Sequence, residues 1–135
     1  MQVEAFHHVT LPVSDLERSK EFSREISRLR EIERPPFNRP GASCGVGLSH
    51  LRLTVTENPT LRDGKELDSG DVHVAVRVRS YREALDFLRS NGYAEDADGL
   101  KRMKVSPRAT ADFPQLYVLD PDRHVIKINA ERLDF

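Results

Sequence analysis

The chain nearly repeats itself, and a histidine opens each copy. His8-Val9-Thr10-Leu11-Pro12-Val13 begins a segment that runs to Phe22, and His73-Val74-Ala75-Val76-Arg77-Val78 begins another that reaches Phe87 at the same spacing. Four of the 15 aligned residues are identical. Both stretches read as strand, capped turn and amphipathic helix. A second match follows late in each copy, Leu51-Arg52-Leu53 in the first and Ile126-Lys127-Ile128 in the second. A duplicated module restricts the fold to two similar units, each with an early histidine and a late basic residue. If the units pair by pseudo-twofold symmetry, the expectation is that these four side chains converge on one site.

The period-2 pattern assigns faces. Val9, Leu11 and Val13 share one side of the first strand and His8 and Thr10 the other; Leu51, Leu53 and Val55 oppose His50, Arg52 and Thr54. In the second copy Val72, Val74, Val76 and Val78 oppose His73, Ala75 and Arg77. The expected helices lie near 15–30 and 80–91, the first capped by Ser14 with Glu17 in capping-box spacing, the second by Ser80 with Glu83, stopped by Asn91-Gly92. A segment around Cys44 to Gly47 reads as a short strand, and strands at 115–119 and 124–129 flank the turn Asp120-Pro121-Asp122-Arg123. Residues 34–41 are a breaker-rich loop, 57–71 a polar connector, and 97–114 lack a regular pattern. The implied architecture is α+β, two βαβββ modules at about 4–57 and 71–131 joined by a connector at 58–70, within a single domain of 1–135. The helices cover the aliphatic strand faces. His8, Arg52, His73 and Lys127 line the opposite faces, with Tyr117 on a late strand suited equally to lining and to core.

Net charge is near −1, with both signs mixed, which argues against a nucleic-acid partner. One cysteine, Cys44, cannot form an internal disulfide and reads as an inert apolar residue. No apolar run approaches the ~20 residues of a membrane helix, and the N-terminus lacks a signal-peptide pattern, so a cytoplasmic location without membrane partners is expected. A phosphate-binding Gly loop, a nucleophile elbow, Cys-x-x-Cys and His-Glu-x-x-His are all missing. His7 and His124 fall on strand faces opposite their neighbouring site residues; His50 shares the face of Arg52.

His8-Val9 running into Val13-Ser14-Asp15-Leu16-Glu17-Arg18-Ser19 resembles the opening of the vicinal oxygen chelate superfamily, the glyoxalase/bleomycin-resistance/extradiol-dioxygenase group. Asp71-Val72-His73-Val74-Ala75-Val76 resembles its second-module opening, and Asp120-Pro121-Asp122-Arg123-His124-Val125-Ile126 its closing hairpin. The resemblance implies paired βαβββ modules forming an open barrel-like cup, often a homodimer, often holding a divalent metal such as Zn, Ni, Mn or Fe. It places His8 and His73 at metal-binding positions. The other two family positions depart from the pattern, with Arg52 and Lys127. A guanidinium has no lone pair to give, and a lysine must first lose a proton held with a pKa near 10.4. Two unit charges 4 Å apart repel by roughly 4 kcal/mol at an effective dielectric of about 20, and a dication feels twice that.

Two functions follow as expectations. One is a protein with a degenerate metal site and no cofactor, which binds a small anionic molecule through Arg52, Lys127, His8, His73 and Tyr117. The other is a metal-dependent lyase, isomerase or dioxygenase that uses His8 and His73, with Glu131 or His50 as further donors. Whether the chain is an enzyme is left open by the residues, as are the ligand's identity and the role of the basic segment 97–114.

Overall fold

The computed structural model describes residues 1–56, 62–108 and 113–134. Two compact units divide the chain, Met1–Asp63 and Gly64–Phe135. Part of the expected connector, 57–61, and part of the patternless segment, 109–112, lie outside the described residues.

The first unit contains β1 (His8–Val13), α1 (Leu16–Glu25), β2 (Arg30–Ile32), β3 (Gly41–Val46) and β4 (Ser49–Val55). Its sheet runs β1-β4-β3-β2, with β1 parallel to β4 and the other neighbours antiparallel. The alternation holds where the strand is covered, since Leu11, Val13, Leu51 and Leu53 are buried. Burying each such side chain stabilises by about 1.5–3 kcal/mol. Helix α1 packs over this aliphatic face, against β2, β3 and β4. It ends at Glu25 rather than near residue 30, because the chain reverses through Arg28 in a left-handed conformation (φ 55°) and enters β2. The cap also differs from expectation: the Asp15 carboxylate accepts the Arg18 amide at 3.1 Å, and the Ser14 hydroxyl accepts from the Arg18 guanidinium instead.

The second unit repeats this plan with β5 (His73–Arg77), α2 (Tyr81–Ser90), β6 (Met103–Ser106), β7 (Gln115–Leu119) and β8 (Val125–Asn129) in the order β5-β8-β7-β6, again with the first strand parallel to the last. Ser80 caps α2 as its sequence indicates, accepting the Glu83 amide at 3.0 Å. Strand β6 and a 3-10 turn, Gly99–Lys101, occupy part of the segment without a period; a four-residue strand with Lys104 between Met103 and Val105 is too short to show one. Val72 is not a core residue. It precedes β5 and is 84% exposed, while Val74, Val76 and Val78 are half-buried.

Asp120 closes the hairpin between β7 and β8. Its Oδ1 accepts the backbone amides of Asp122 at 3.0 Å and His124 at 2.8 Å, and the carboxylate itself is buried. Removing that acceptor strands two amides. Asp120→Ala is therefore expected to lower unfolding stability by about 1–3 kcal/mol, and Asp120→Asn, which keeps an oxygen in place, by less. Urea denaturation of the two variants checks this, and equal losses would show that the hydrogen bonds are not the reason.

Candidate functional site

The parallel register determines what meets on each sheet. Thr10 lies opposite Arg52 and Ala75 opposite Lys127, so each late cation sits one pleat from its module's early histidine, on the same face. In the first unit that is the face away from α1, which packs on the side of Ala42, Cys44, Leu51 and Leu53.

On the first sheet His8, His50 and Arg52 come together. His8 is directly opposite His50, and an Arg52 Nη1 donates to His8 Nε2 across a long 3.5 Å. A guanidinium only donates, so His8 Nε2 is the acceptor, and His8 Nδ1 donates its proton to His7 Nδ1 at 2.8 Å. His7, assigned by the alternation to the strand face opposite His8, is thus a direct partner of His8. Its ring also lies 5.6 Å from that of His50. Arg52 extends over the Phe37 ring (5.5 Å), which also carries Arg34 (4.8 Å). Arg34 reaches back to the Arg39 carbonyl at 2.9 Å and lies beside Gly41, where any Cβ would strike the Leu53 carbonyl and crowd this guanidinium.

On the second sheet His73, Tyr117 and Lys127 come together. Lys127 is opposite Tyr117 on one side and Ala75 on the other, and its Nζ lies 5.6 Å from the Tyr117 ring and 5.6 Å from that of Phe113. His73 stands edge-on to Tyr117 at 6.2 Å. Tyr117 is a core residue: buried, it forms a small cluster with Leu119 and Val125, onto which Leu67 and Leu100 pack, and its hydroxyl donates to Gln115 Oε1. Arg77 also lies against Phe113 at 5.1 Å, and Lys104 approaches Tyr117 at 5.9 Å while donating to the Ser69 hydroxyl at 2.6 Å.

The remaining candidates lie apart. Cys44 is buried on the helix face of the first sheet, where burial, then the Glu31 carboxylate, raises its thiol pKa. His124 is buried in the hairpin turn, and Glu131 is exposed beyond β8. Sequence reasoning missed Phe37 and Phe113, two loop aromatics that precede β3 and β7 and hold the late cations in the same way in both modules. The repeat was the signal available for them, but different spacings to the following strand hid the match.

These donor sets were tested for the divalent metal implied by the resemblance. Within either unit, the described His, Cys, Asp and Glu residues form no group of three suited to an ion. His8 offers its free lone pair to Arg52. His73 is different: its Nδ1 donates to the Asp71 carbonyl at 2.7 Å, which leaves Nε2 unprotonated, the tautomer that metal-binding imidazoles use.

Loss of solvation, then Arg52, then His7 and His50 push the His8 pKa below its ordinary 6.5. A depressed imidazole pKa favours the neutral form, which is the form able to accept from Arg52. Arg52→Gln should move the His8 titration up towards 6.5, followed by NMR of its ring protons; an unchanged midpoint would show that the two side chains do not interact in solution.

The sequence model of the Glyoxalase/Bleomycin resistance protein/Dioxygenase superfamily matches residues 5–128. Among solved structures, a glyoxalase family protein from Bacillus anthracis is 20% identical over 96% of this chain and 97% of that one, with a TM-score of 0.72. The fosfomycin resistance protein FosX from Listeria monocytogenes is 22% identical over 98% of this chain and all of its own (100%), with a TM-score of 0.70. A variant of FosX, solved with Mn(II) and 1S,2S-dihydroxypropylphosphonic acid, is 19% identical over 98% and 95% of the two chains, with a TM-score of 0.69. At these identities the likeness is one of fold. The curated proteins contain no match. With the paired β-α-β-β-β order and a family match spanning nearly the whole sequence, this chain belongs to the Glyoxalase/Bleomycin resistance protein/Dioxygenase superfamily.

Proposed function

We propose that this chain binds a small anionic molecule through a degenerate form of the superfamily's metal site, with Arg52 and His8 on the first sheet and Lys127, His73 and Tyr117 on the second as contact residues. One observation carries the reading. At the late position of both modules stands a cation laid against an aromatic ring, and neither Arg52 nor Lys127 has a carboxylate partner among the described residues. A cation kept extended on a ring, with its charge unanswered, is available to an oxyanion, and arginine offers two parallel donors. The phosphonic acid in the FosX structure is in keeping with an anionic ligand on this fold.

The alternative is a metal-dependent lyase, isomerase or dioxygenase that uses His8 and His73. The tautomer of His73 favours it. The engagement of His8 by a guanidinium, and the two cations in place of oxygen or imidazole donors, weigh more heavily against it.

Calorimetric titration of protein purified without a metal-affinity tag separates the two. Inorganic phosphate should bind, and Arg52→Ala or Lys127→Ala should weaken it roughly tenfold or more, the loss expected for a charge-assisted hydrogen bond. Sulfate, which keeps its charge across this range, should bind more tightly as pH falls through the depressed His8 pKa, since protonation adds a positive charge beside Arg52. Zinc and manganese(II) should bind weakly, and Lys127→Glu combined with Arg52→His should tighten zinc. Tight one-to-one zinc binding by the parent, lost in His8→Ala, would overturn the proposal.

We also take the chain to be one glyoxalase-like domain that works as a cytoplasmic homodimer. In support, β1 and β5 are both sheet edges, flanked by exposed Phe6, Val9 and Val72, and unpaired apolar edges invite cover. Light scattering at micromolar concentration should give twice the chain mass, and a monomer would remove this part of the reading.

A further inference from the structure

Asn129 is buried and makes no use of its burial. It is 8% exposed, and its Oδ1 has no hydrogen-bond partner among the described residues. Such groups are rare, because a stranded acceptor loses its water without compensation. Its position is informative. Asn129 is opposite Arg77 on β5 and Gln115 on β7, and one pleat along β8 from Lys127, so all of them share the face that carries Tyr117. The neighbouring amide is not stranded, since Gln115 Oε1 takes the Tyr117 hydroxyl proton. Near Asn129, then, stand two cations against the Phe113 ring and an aromatic hydroxyl already committed, and the Asn129 oxygen finds no donor among the described residues.

We propose that Asn129 is a specificity-determining residue of this face, which selects aromatic acids that carry a hydrogen-bond donor at the end remote from the carboxylate. The inference rests on the anion-binding reading above and adds the class of ligand to it. The carboxylate goes to Lys127, which brings that ammonium off the Phe113 ring. The ligand ring takes its place beside Phe113 and Tyr117. The half-exposed Phe113 gives way enough for the donor to reach Asn129 Oδ1. Residues two apart in a strand are separated by about 6.6 Å, so the anion and the donor belong at opposite ends of a ring rather than on adjacent atoms. An unfilled acceptor also discriminates more sharply than an apolar wall, because a ligand without the donor leaves it stranded.

The full chain, titrated by NMR with 4-hydroxybenzoate and with benzoate, tests this. The parent should prefer 4-hydroxybenzoate by about tenfold, the worth of one hydrogen bond to a buried acceptor, and the Asn129 side-chain amide should shift with 4-hydroxybenzoate only. Asn129→Leu should bind both acids as the parent binds benzoate, and its melting temperature should hold or rise, since an isosteric apolar side chain removes the stranded oxygen. Asn129→Ala, which also removes the acceptor, provides the same binding comparison if the leucine variant does not fold. Lys127→Ala should weaken both acids alike. Equal affinity of the parent for the two acids, with the Lys127 dependence kept, would overturn this inference and leave the anion reading standing. A preference for 4-hydroxybenzoate that survives in Asn129→Leu would also overturn it. If neither acid nor inorganic phosphate binds, the anion reading fails and this inference with it.

Discussion

Parallel pairing between the first and last strand of each module sets the terms for everything else in this chain. An antiparallel hairpin places neighbours in sequence side by side, whereas a parallel pair must bring together strands separated by a helix and two further strands. Here it aligns His8–Val13 with residues 50–55 and His73–Arg77 with residues 125–129. A one-residue slip in either ladder would turn its cation into the aliphatic core and an aliphatic side chain out of it. The valines and leucines that bury against the helices therefore also decide that Arg52 and Lys127 face away from them. The hydrophobic pattern and the chemistry are fixed by a single register.

The cations themselves are arranged in a way that ordinary surface lysines and arginines are not. Each is laid on a phenylalanine contributed by the loop before the module's third strand, Phe37 for Arg52 and Phe113 for Lys127. The ring restrains a long side chain without neutralising it, so less conformational freedom is left to lose when an anion arrives. His8 completes this on the first sheet by staying neutral and serving as an acceptor for the guanidinium.

Much of this was legible before any coordinates. The repeat and the alternation carried the fold, because each strand buries one face and tolerates polar residues on the other, which is the pattern the period reports. They also put His8 beside Arg52 and His73 near Lys127 on shared faces. Strand β2, with three residues, and β6, with four, were not legible, since neither is long enough to show a period. The cap of α1 was misplaced by one residue because Ser14 and Asp15 are both good caps and only the backbone decides between them. Phe37, Phe113 and Asn129 were passed over for a different reason: nothing in a one-dimensional pattern marks a loop aromatic that folds onto a strand, or an amide that finds no partner.

The two modules furnish their polar faces from opposite directions. On the second sheet the third strand supplies bulk itself, with Gln115 and Tyr117; at the matching places on the first sheet stand Gly41 and Ser43, and the room goes to the loop that carries Arg34 and Phe37. A loop can be rewritten, lengthened or exchanged without touching a hydrogen-bonded ladder, whereas Tyr117 is wedged between Leu119, Val125 and the segments above them. The first sheet's polar face can therefore change without disturbing a strand, while the second sheet's is held by its own core. Divergence in what relatives of this chain recognise should then accumulate in the stretch from Glu33 to Pro40, and engineering a new preference is best begun there.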